Sequence, residues 1–312
     1  MLGLVAFEHW FSEGAWARLQ SLLAAITALE ASAQELDFFL CVFSSILRRV
    51  SNADDQAQKT YVSGTLQKHP PEVEPLFYRT FDKALAGLEE LAMLRRPSAE
   101  AIVIQGDAAD ITLPPHSVDL IVTSPPYLDS VDYMYNLMLE YFWLGPLLGV
   151  NDRRTFNQMR RGVTGAKNPI EKNPPALPRC LTDLISEEVI IPHRVAAARA
   201  YCDNMGRHFH SAAKALRQEG YYFLIVGNSQ SRKGVLPIHD SLIRLAVDAG
   251  FSFDKAFAYR IRRHYMKFPR AGRGGIITMD WVIALKNSQK RACYPDRLPL
   301  PNFTLRDDEV AN

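Results

Sequence analysis

A serine, two prolines and a tyrosine stand in succession directly after an apolar run of the chain. They are Ser124, Pro125, Pro126 and Tyr127, and they follow residues 118–123, which read VDLIVT. Consecutive prolines fix φ and remove two backbone N–H donors, so such a loop presents its carbonyl oxygens in a stiff geometry. The serine hydroxyl and the Pro125 carbonyl can accept hydrogen bonds from an amino group, and the tyrosine ring offers a flat face. These residue types suit the binding of a planar molecule that carries an amino group.

The motif and its context resemble the signature of DNA amino-methyltransferases, [D/N/S]-P-P-[Y/F/W] at the end of a buried strand. The nearly continuous apolar residues of 118–123 are typical of a parallel strand that is buried on both faces. A second such run, AIVIQGD at 101–107, precedes it and ends in Gly-Asp. A Ser-Pro-Pro-Tyr sequence can also be a structural turn or a linker element. The position after a strand, downstream of a strand ending in Gly-Asp, favours the methyltransferase interpretation.

The resemblance implies a chemical role for each residue of the motif. An exocyclic base amine is a poor nucleophile, because its lone pair is delocalised into the ring. The Ser124 hydroxyl and the Pro125 carbonyl would hold the amine hydrogens, so that the nitrogen becomes more pyramidal. Pro126 would stiffen the loop, and Tyr127 would stack on a base extruded from the duplex.

The resemblance also implies S-adenosylmethionine as the cofactor, with the carboxylate of Asp107 bordering its adenine. A strand-end aspartate that caps a turn is the alternative for Asp107. Asn228 and Ser229 follow a third apolar run, YYFLIVG, and either a place in the site or a turn accounts for them.

Serine at the first motif position accompanies cytosine N4 targets among relatives, whereas Asp or Asn accompanies adenine N6. We therefore expect methylation of cytosine N4 in double-stranded DNA, as in restriction–modification systems. Adenine N6 and the amino groups of RNA or protein are alternatives within the enzyme class. An inactive remnant that only binds DNA or a partner is the alternative of another class.

The formal net charge of +2 is too small to indicate a polyanionic partner, but the basic residues are unevenly distributed. Residues 151–179 carry seven Lys and Arg against Asp152 and Glu171. A second stretch holds no acidic residue and is predicted to bind DNA through Arg260, Arg262, Arg263, Lys267, Arg270 and Arg273. A solvated surface explains either stretch equally well.

The hydrophobic pattern predicts an α/β protein in three parts. Residues 1–98 are predicted to be helical, with helices within 13–50 and over about 74–95. Residues 99–288 alternate strands and helices and end in a strand pair joined by AGRGG, which resembles the Rossmann-like sheet of class I methyltransferases. Within them, 128–200 form a helical and loop insertion that could contribute to target recognition. Residues 289–312 are a polar tail.

Several boundaries follow from local signals. Residues 150–180 are rich in Asn, Gly and Pro and are predicted to be a loop, followed by a helical stretch over about 184–217. Gly250 is predicted to end the helix that begins near residue 241. Strands are predicted at 221–229, from residue 251 onward and at 279–287.

The family's glycine-rich cofactor loop, Phe-x-Gly-x-Gly, is missing. Residues 1–100 contain only four isolated glycines, and Gly272, Gly274 and Gly275 fit a hairpin turn. The family's sheet has two strands between the one ending in Gly-Asp and the one ending in the motif. Their absence would leave unpaired backbone groups. We therefore expect an enzyme that is incomplete at its N-terminal strands: either the C-terminal portion of a larger enzyme, or one subunit of a split enzyme whose separate polypeptide supplies the loop. Helices that fill the gap are the alternative.

Four widely spaced cysteines, without a Cys-x-x-Cys pair, indicate a reduced, cytoplasmic protein. No apolar run approaches the roughly 18 residues of a membrane span, and we expect no membrane partner. The spacing of Cys180, His193, Cys202, His208 and His210 matches no zinc pattern, so no metal is expected.

Overall fold

The chain forms two compact units in the computed structural model. One unit, called the helical unit, comprises Met1–Ile104 and Asp132–Arg160, and the other, called the sheet unit, comprises Gln105–Val131 and Arg161–Asn312. The mixed α/β class predicted from the sequence is confirmed. The described residues are 7–55, 59–65, 67–94, 100–128, 132–166, 168–169, 177–186, 190, 192–230, 235–262 and 277–288.

The helical unit confirms the predicted N-terminal helices. Each of the two helices within 13–50 begins at a serine cap: the Ser12 hydroxyl accepts a hydrogen bond from the backbone N–H of Ala15, and Ser32 forms a capping box with Glu35. The elements of this unit are α1 (Phe7–Trp10), α2 (Glu13–Thr27), α3 (Ala33–Val50), α4 (Val73–Leu94), α5 (Tyr133–Asn136), α6 (Met138–Leu144), a 3₁₀ helix (Gly145–Leu148) and α7 (Arg153–Gly162), whose last two residues fall in the sheet unit.

Aromatic side chains pack the core of the helical unit. The ring of Trp143 lies 4.5 Å from that of Trp16, 5.7 Å from that of Phe11 and 5.9 Å from that of Phe43, measured between centroids. These rings belong to α2, α3, α6 and the turn before α2. The aromatic residues after the motif therefore include core residues, which is the role that their apolar spacing favours.

The prediction of a loop over 150–180 was wrong for residues 153–162, which form α7. Asp152 caps this helix, since its carboxylate accepts hydrogen bonds from the backbone N–H and the hydroxyl of Thr155. Phe156 is the one residue of α7 that is buried. The sequence of this helix therefore lacks the repeating apolar positions from which a helix is predicted.

The sheet unit contains a four-stranded sheet and a separate two-stranded one. The larger sheet has the strand order β1-β2-β6-β5, with β1 parallel to β2 and with β6 antiparallel to both β2 and β5. The predicted terminal strand pair is therefore confirmed. The elements are β1 (Val118–Thr123), α8 (Arg179–Ser186), α9 (Pro192–Ala215), β2 (Leu216–Gly227), β3 (Ser229–Gln230), β4 (Val235–Leu236), α10 (Ile238–Asp248), β5 (Phe251–Arg260) and β6 (Met279–Asn287).

Helices cover one face of the four-stranded sheet. Tyr222, Leu224, Ile283 and Leu285 project from this face, and each is fully buried in a core that also takes in residues of α9 and α10. Gly250 follows α10 with φ +103°, a left-handed conformation that suits glycine at a helix end, as predicted.

The predicted strand over AIVIQGD is absent, because residues 101–105 have no regular secondary structure. Ile102, Val103 and Ile104 are exposed, by 73%, 99% and 63%. A strand needs a neighbour to satisfy its backbone groups. Within the described part of the chain, no strand pairs with this run, and its β-branched residues are exposed to solvent.

Some predictions fall outside the described residues. They concern the glycines of the AGRGG turn and the polar tail at 289–312. Over the described ranges, no helix is long and apolar enough to cross a membrane.

We expect Phe251→Ala to lower the free energy of unfolding by about 3–5 kcal/mol, because it removes a fully buried ring from the sheet unit's core. Urea denaturation followed by circular dichroism measures this change. Phe257→Ala on the same strand is the matched control and should cost less than about 1 kcal/mol, since Phe257 is 57% exposed. Equal losses in the two variants would contradict the described burial.

Candidate functional site

The motif lies at the carboxyl edge of the sheet, directly after β1. Ser124 is exposed, Pro125 is buried, and Pro126 and Tyr127 are partly buried. The loop is thus anchored through its first proline, and the side chain of the exposed Ser124 is hydrogen-bonded to that of Tyr127. Polar groups at the carboxyl ends of parallel strands commonly form ligand sites in such sheets.

A glycine of a later loop packs against the motif. Gly165 is buried and has φ +82°, and a side chain there would place its Cβ 3.0 Å from the backbone oxygen of Tyr127. Both the left-handed backbone and the close contact require glycine at this position. Gly165 therefore packs directly against the backbone of the motif.

Tyr127 is held by a carboxylate of the antiparallel strand β6. Its hydroxyl donates a hydrogen bond of 2.6 Å to Oδ1 of Asp280, and the hydroxyl of Tyr259 donates one of 3.2 Å to Oδ2. Asp280 is 9% exposed, so this carboxylate is paired while it is buried. Burial first, and then the hydrogen bond to Asp280, raise the pKa of Tyr127 well above its ordinary range. The phenol therefore stays neutral.

Gly227 at the end of β2 leaves room for the Tyr127 ring. A Cβ at Gly227 would lie 2.9 Å from Cε2 of Tyr127, 3.0 Å from Oδ1 of Asp280 and 2.6 Å from a methyl carbon of Ile277. These separations are too short for a side chain. The end of β2 thus accepts the aromatic ring only because the residue there is glycine.

Asn228 and Ser229 each bond a nearby side chain. Oδ1 of Asn228 accepts hydrogen bonds from Nδ1 of His239, at 2.8 Å, and from the backbone N–H of His239, at 3.2 Å. The His239 ring stacks on Trp281, with centroids 4.1 Å apart and planes at 8°. Ser229 is buried, and its hydroxyl accepts a hydrogen bond of 3.1 Å from Arg194. The Asn228 bonds hold the start of α10, and the Ser229 bond links the start of β3 to α9.

Burial lowers the pKa of His239 to about 4, and the charge of Asp240 offsets this only in part. The imidazole is therefore neutral at physiological pH. Its Nδ1 carries the proton, because Asn228 offers an oxygen acceptor there.

Asp107 lies on an exposed turn, and its own carboxylate accepts a hydrogen bond of 2.9 Å from the backbone N–H of Ala109. Arg207 of α9 pairs with Asp110 and reaches to 3.9 Å from Asp107. His208 ties the same turn to the sheet, since its ring nitrogens bond the Ala108 carbonyl and the Tyr222 hydroxyl. The turn-capping alternative for Asp107 is thus present, and its carboxylate remains accessible.

The predicted DNA-binding residues are described only in part. Arg260 is the last residue of β5, Arg262 follows it, and both are exposed. Because β5 runs parallel to β1, Arg260 lies at the same edge of the sheet as Ser124. Arg263, Lys267, Arg270 and Arg273 lie outside the described residues.

The second basic stretch is partly committed to internal contacts. Arg160 forms a salt bridge with Asp132, and Arg161 donates a hydrogen bond to the backbone carbonyl of Asn168. Lys167 and Lys172 lie outside the described residues. Among the side chains that the structure does describe, no three His, Cys, Asp or Glu are grouped to hold a metal ion.

Four residues of the site were not predicted from the sequence: Asp280, His239, Gly165 and Gly227. The available signal for Asp280 was a carboxylate at the start of a strongly apolar strand, where an acidic group is normally disfavoured. The glycines and His239 gave no comparable signal, since their roles depend on contacts between distant segments.

Asp280→Asn should lower the pKa of Tyr127 toward the ordinary tyrosine value, because the variant removes the charge and weakens the hydrogen bond. The pKa should stay somewhat raised, since burial remains. Ultraviolet titration of the phenols, with Tyr127→Phe subtracted, measures the change. Tyr259→Phe keeps the Tyr127–Asp280 hydrogen bond and should change the Tyr127 pKa far less. An unchanged titration in Asp280→Asn would refute the contact.

The protein should lose stability as the pH falls from 6.5 to about 4, because unfolded His239 binds a proton there and folded His239 does not. The contribution of neutral His239 to the free energy of unfolding is fully present above pH 6.5. The free energy of unfolding should fall by at most about 1.4 kcal/mol per pH unit, and by a total on the order of 3 kcal/mol. Urea denaturation at several pH values measures it. His239→Phe keeps an aromatic ring against Trp281 and should remove this part of the slope; an identical slope would contradict the assignment.

No family model matches the chain, and no curated protein matches it. Among solved structures, it is similar to one from Thermus thermophilus, proposed to be a DNA modification methylase and complexed with S-adenosyl-L-methionine. The identity is 16%, the match covers 62% of this chain and 55% of that chain, and the TM-score is 0.32. It is also similar to a SAM-dependent methyltransferase from Methanosarcina mazei, with 10% identity, 65% and 76% coverage and a TM-score of 0.28. The chain spans little more than half of the Thermus protein, and both likenesses are remote.

Proposed function

We propose that this chain carries the target-base site of an S-adenosylmethionine-dependent DNA methyltransferase that acts on an exocyclic amine, cytosine N4. One observation carries the proposal: the exposed residue Ser124 stands beside a buried proline at the carboxyl edge of the sheet, and Tyr127 is hydrogen-bonded to Asp280. A cytoplasmic place in a restriction–modification system belongs to the same proposal.

The residues of the motif would act on the target amine by position. Ser124 Oγ and the Pro125 carbonyl accept the two amine hydrogens, which turns the nitrogen lone pair out of the ring plane. Pro125 is buried and Pro126 restricts the backbone, so the two acceptors keep a fixed separation.

Tyr127 would contribute its ring to the base. Its hydroxyl already donates to Asp280, and its raised pKa keeps it neutral. The ring face can therefore stack on an extruded base without placing a phenolate near the amine.

The described residues fit only part of a cofactor site. Asp107 offers an accessible carboxylate, but no glycine-rich loop borders β1 within the described ranges. S-adenosylmethionine supplies an electrophilic methyl group when it is bound. The remainder of its site would come from a segment bearing the glycine-rich loop, either on a separate polypeptide or in a longer form of this chain. The present chain supplies the acceptors for the target amine.

DNA would reach the site along the carboxyl edge of the sheet. Arg260 and Arg262 are exposed where β5 ends at this edge, and four further basic residues follow by 273. Cations in this place would neutralise phosphates on either side of an extruded nucleotide. Residues 128–200 would contribute to sequence choice.

Transfer of labelled methyl groups from S-adenosylmethionine to DNA tests the proposal, with and without a polypeptide that bears the glycine-rich loop. The expected product is N4-methylcytosine. N6-methyladenine would correct the target base. Labelled RNA or protein without labelled DNA would refute a DNA substrate, and DNA binding without transfer in the completed enzyme would indicate an inactive remnant.

Ser124→Ala should lower the transfer rate on the order of 100-fold or more, because one of the two acceptors for the amine is lost. DNA binding, measured by fluorescence anisotropy, should be unchanged. Ser117→Ala is the matched control, since Ser117 precedes the opposite end of β1 and its hydroxyl donates a local hydrogen bond to the Pro114 carbonyl. Full turnover by Ser124→Ala would overturn the assignment.

A further inference from the structure

The second half of α4 extends beyond the packing that holds its first half. In the first half, Phe77 is buried, and Phe81 stacks on Phe39 of α3 with ring centroids 5.4 Å apart. Past Phe81 the helix leaves this packing, and every residue from Leu85 to Leu94 is exposed. The second half therefore adds little to the core of the helical unit, although its sequence is rich in leucine.

The exposed half keeps the apolar side of the buried half. At about 100° per residue, five small or apolar residues continue the side of α4 on which Phe77 and Phe81 lie. We call these five residues the α4 stripe: Ala84, Leu85, Leu88, Leu91 and Ala92. The three leucines are exposed by 41%, 47% and 62%, in chain order. A contiguous exposed strip of this kind is typical of an interface.

The residues around the α4 stripe suit the approach of another helix. Asp82 and Glu89 lie on one flank of α4 and Lys83 and Glu90 on the other, so no charge interrupts the stripe itself. Gly87 borders the stripe, and a Cβ there would meet no atom within 4 Å. Glycine is unfavourable inside an exposed helix, but it allows a second backbone to come close.

We propose that the α4 stripe pairs with the α4 stripe of a second copy of this chain, as two antiparallel helices related by a twofold axis at Leu88. A twofold interface requires a surface that is complementary to itself. The stripe meets this requirement, because leucine stands three residues before and after Leu88, and alanine stands four residues before and after it. An antiparallel pair places Leu85 on Leu91 of the partner subunit, and Ala84 on Ala92 of the partner subunit.

The charges on one flank are complementary in this arrangement. In an antiparallel pair each flank meets the same flank of the other copy, so Lys83 lies near Glu90 of the partner subunit, and the axis forms this contact twice. A parallel pair would instead bring Glu90 near Glu89 of the partner subunit. The other flank, with Asp82 and Glu89, is acidic in both copies, and solvent and salt screen its repulsion. Lys83 and Glu90 thus favour the antiparallel direction, while the stripe supplies the contact area.

The length of the α4 stripe determines how strong the dimer can be. The stripe occupies about 14 Å of helix, at 1.5 Å per residue. A contact of this length lies at or below the small end of specific interfaces, which bury roughly 1,200–2,000 Å² in total. We therefore expect a transient dimer with a Kd on the order of 10–100 μM. This dimerisation is independent of the proposed methyl transfer.

Sedimentation velocity of the full chain, from about 1 to about 500 μM, tests the pairing across the expected Kd. The chain should be a monomer at the lowest concentration and largely a dimer at the highest. Leu88→Lys brings two ammonium groups together at the axis and should weaken the dimer by at least about tenfold. Met93→Lys is the matched control, because Met93 is 86% exposed on the opposite side of the same helix. Circular dichroism checks that both variants stay folded.

Charge reversal tests the antiparallel direction. Lys83→Glu and Glu90→Lys should each weaken self-association by about threefold or more, since like charges then meet twice. A mixture of the two variants should dimerise as well as the wild type, because opposite charges again face each other at both contacts. A mixture that dimerises no better than either variant alone would overturn the antiparallel pairing. A chain that stays monomeric at the highest concentration, or equal effects of Leu88→Lys and Met93→Lys, would overturn the interface itself.

Discussion

The hydrogen bond from Tyr127 to Asp280 joins the motif to the sheet, and the geometry of the candidate site depends on it. The two residues are far apart in the chain, on the loop after β1 and at the start of β6. The Tyr127 ring fits against the end of β2 only because Gly227 has no side chain. A buried carboxylate without a partner would be costly, so the two tyrosine hydroxyls and Asp280 stabilise one another. The result is a loop held at both its proline and its aromatic end.

The neutral groups around this edge share one physical cause. Burial raises the pKa of Tyr127 and lowers that of His239, so the uncharged form is favoured in both. The charged groups described at this edge include Asp280, which two hydroxyls satisfy, Arg194, which bonds Ser229, and the arginines at the end of β5.

Local patterns in the sequence were enough to predict β2, β5, β6 and the helices α2, α3, α4 and α10, because each carries a clear apolar period. They failed for α7, where Phe156 alone is buried, and for residues 101–104, whose apolar run needs a neighbouring strand. The motif could be placed at a strand end, but the role of Asp280 depends on pairing across distant segments. The roles of Ser124, Pro125, Pro126, Tyr127 and Asp107 remain predictions.

The pairing of β1 with β2 has a consequence for how the chain folds. Val118 lies opposite Leu216, and most of the intervening residues form helices with local contacts. Closing so long a loop is entropically slow, so the helices should form before the parallel pair does. During synthesis on the ribosome, β1 would therefore stay unpaired until α9 and β2 have been synthesised. Chaperone binding would matter most in that interval.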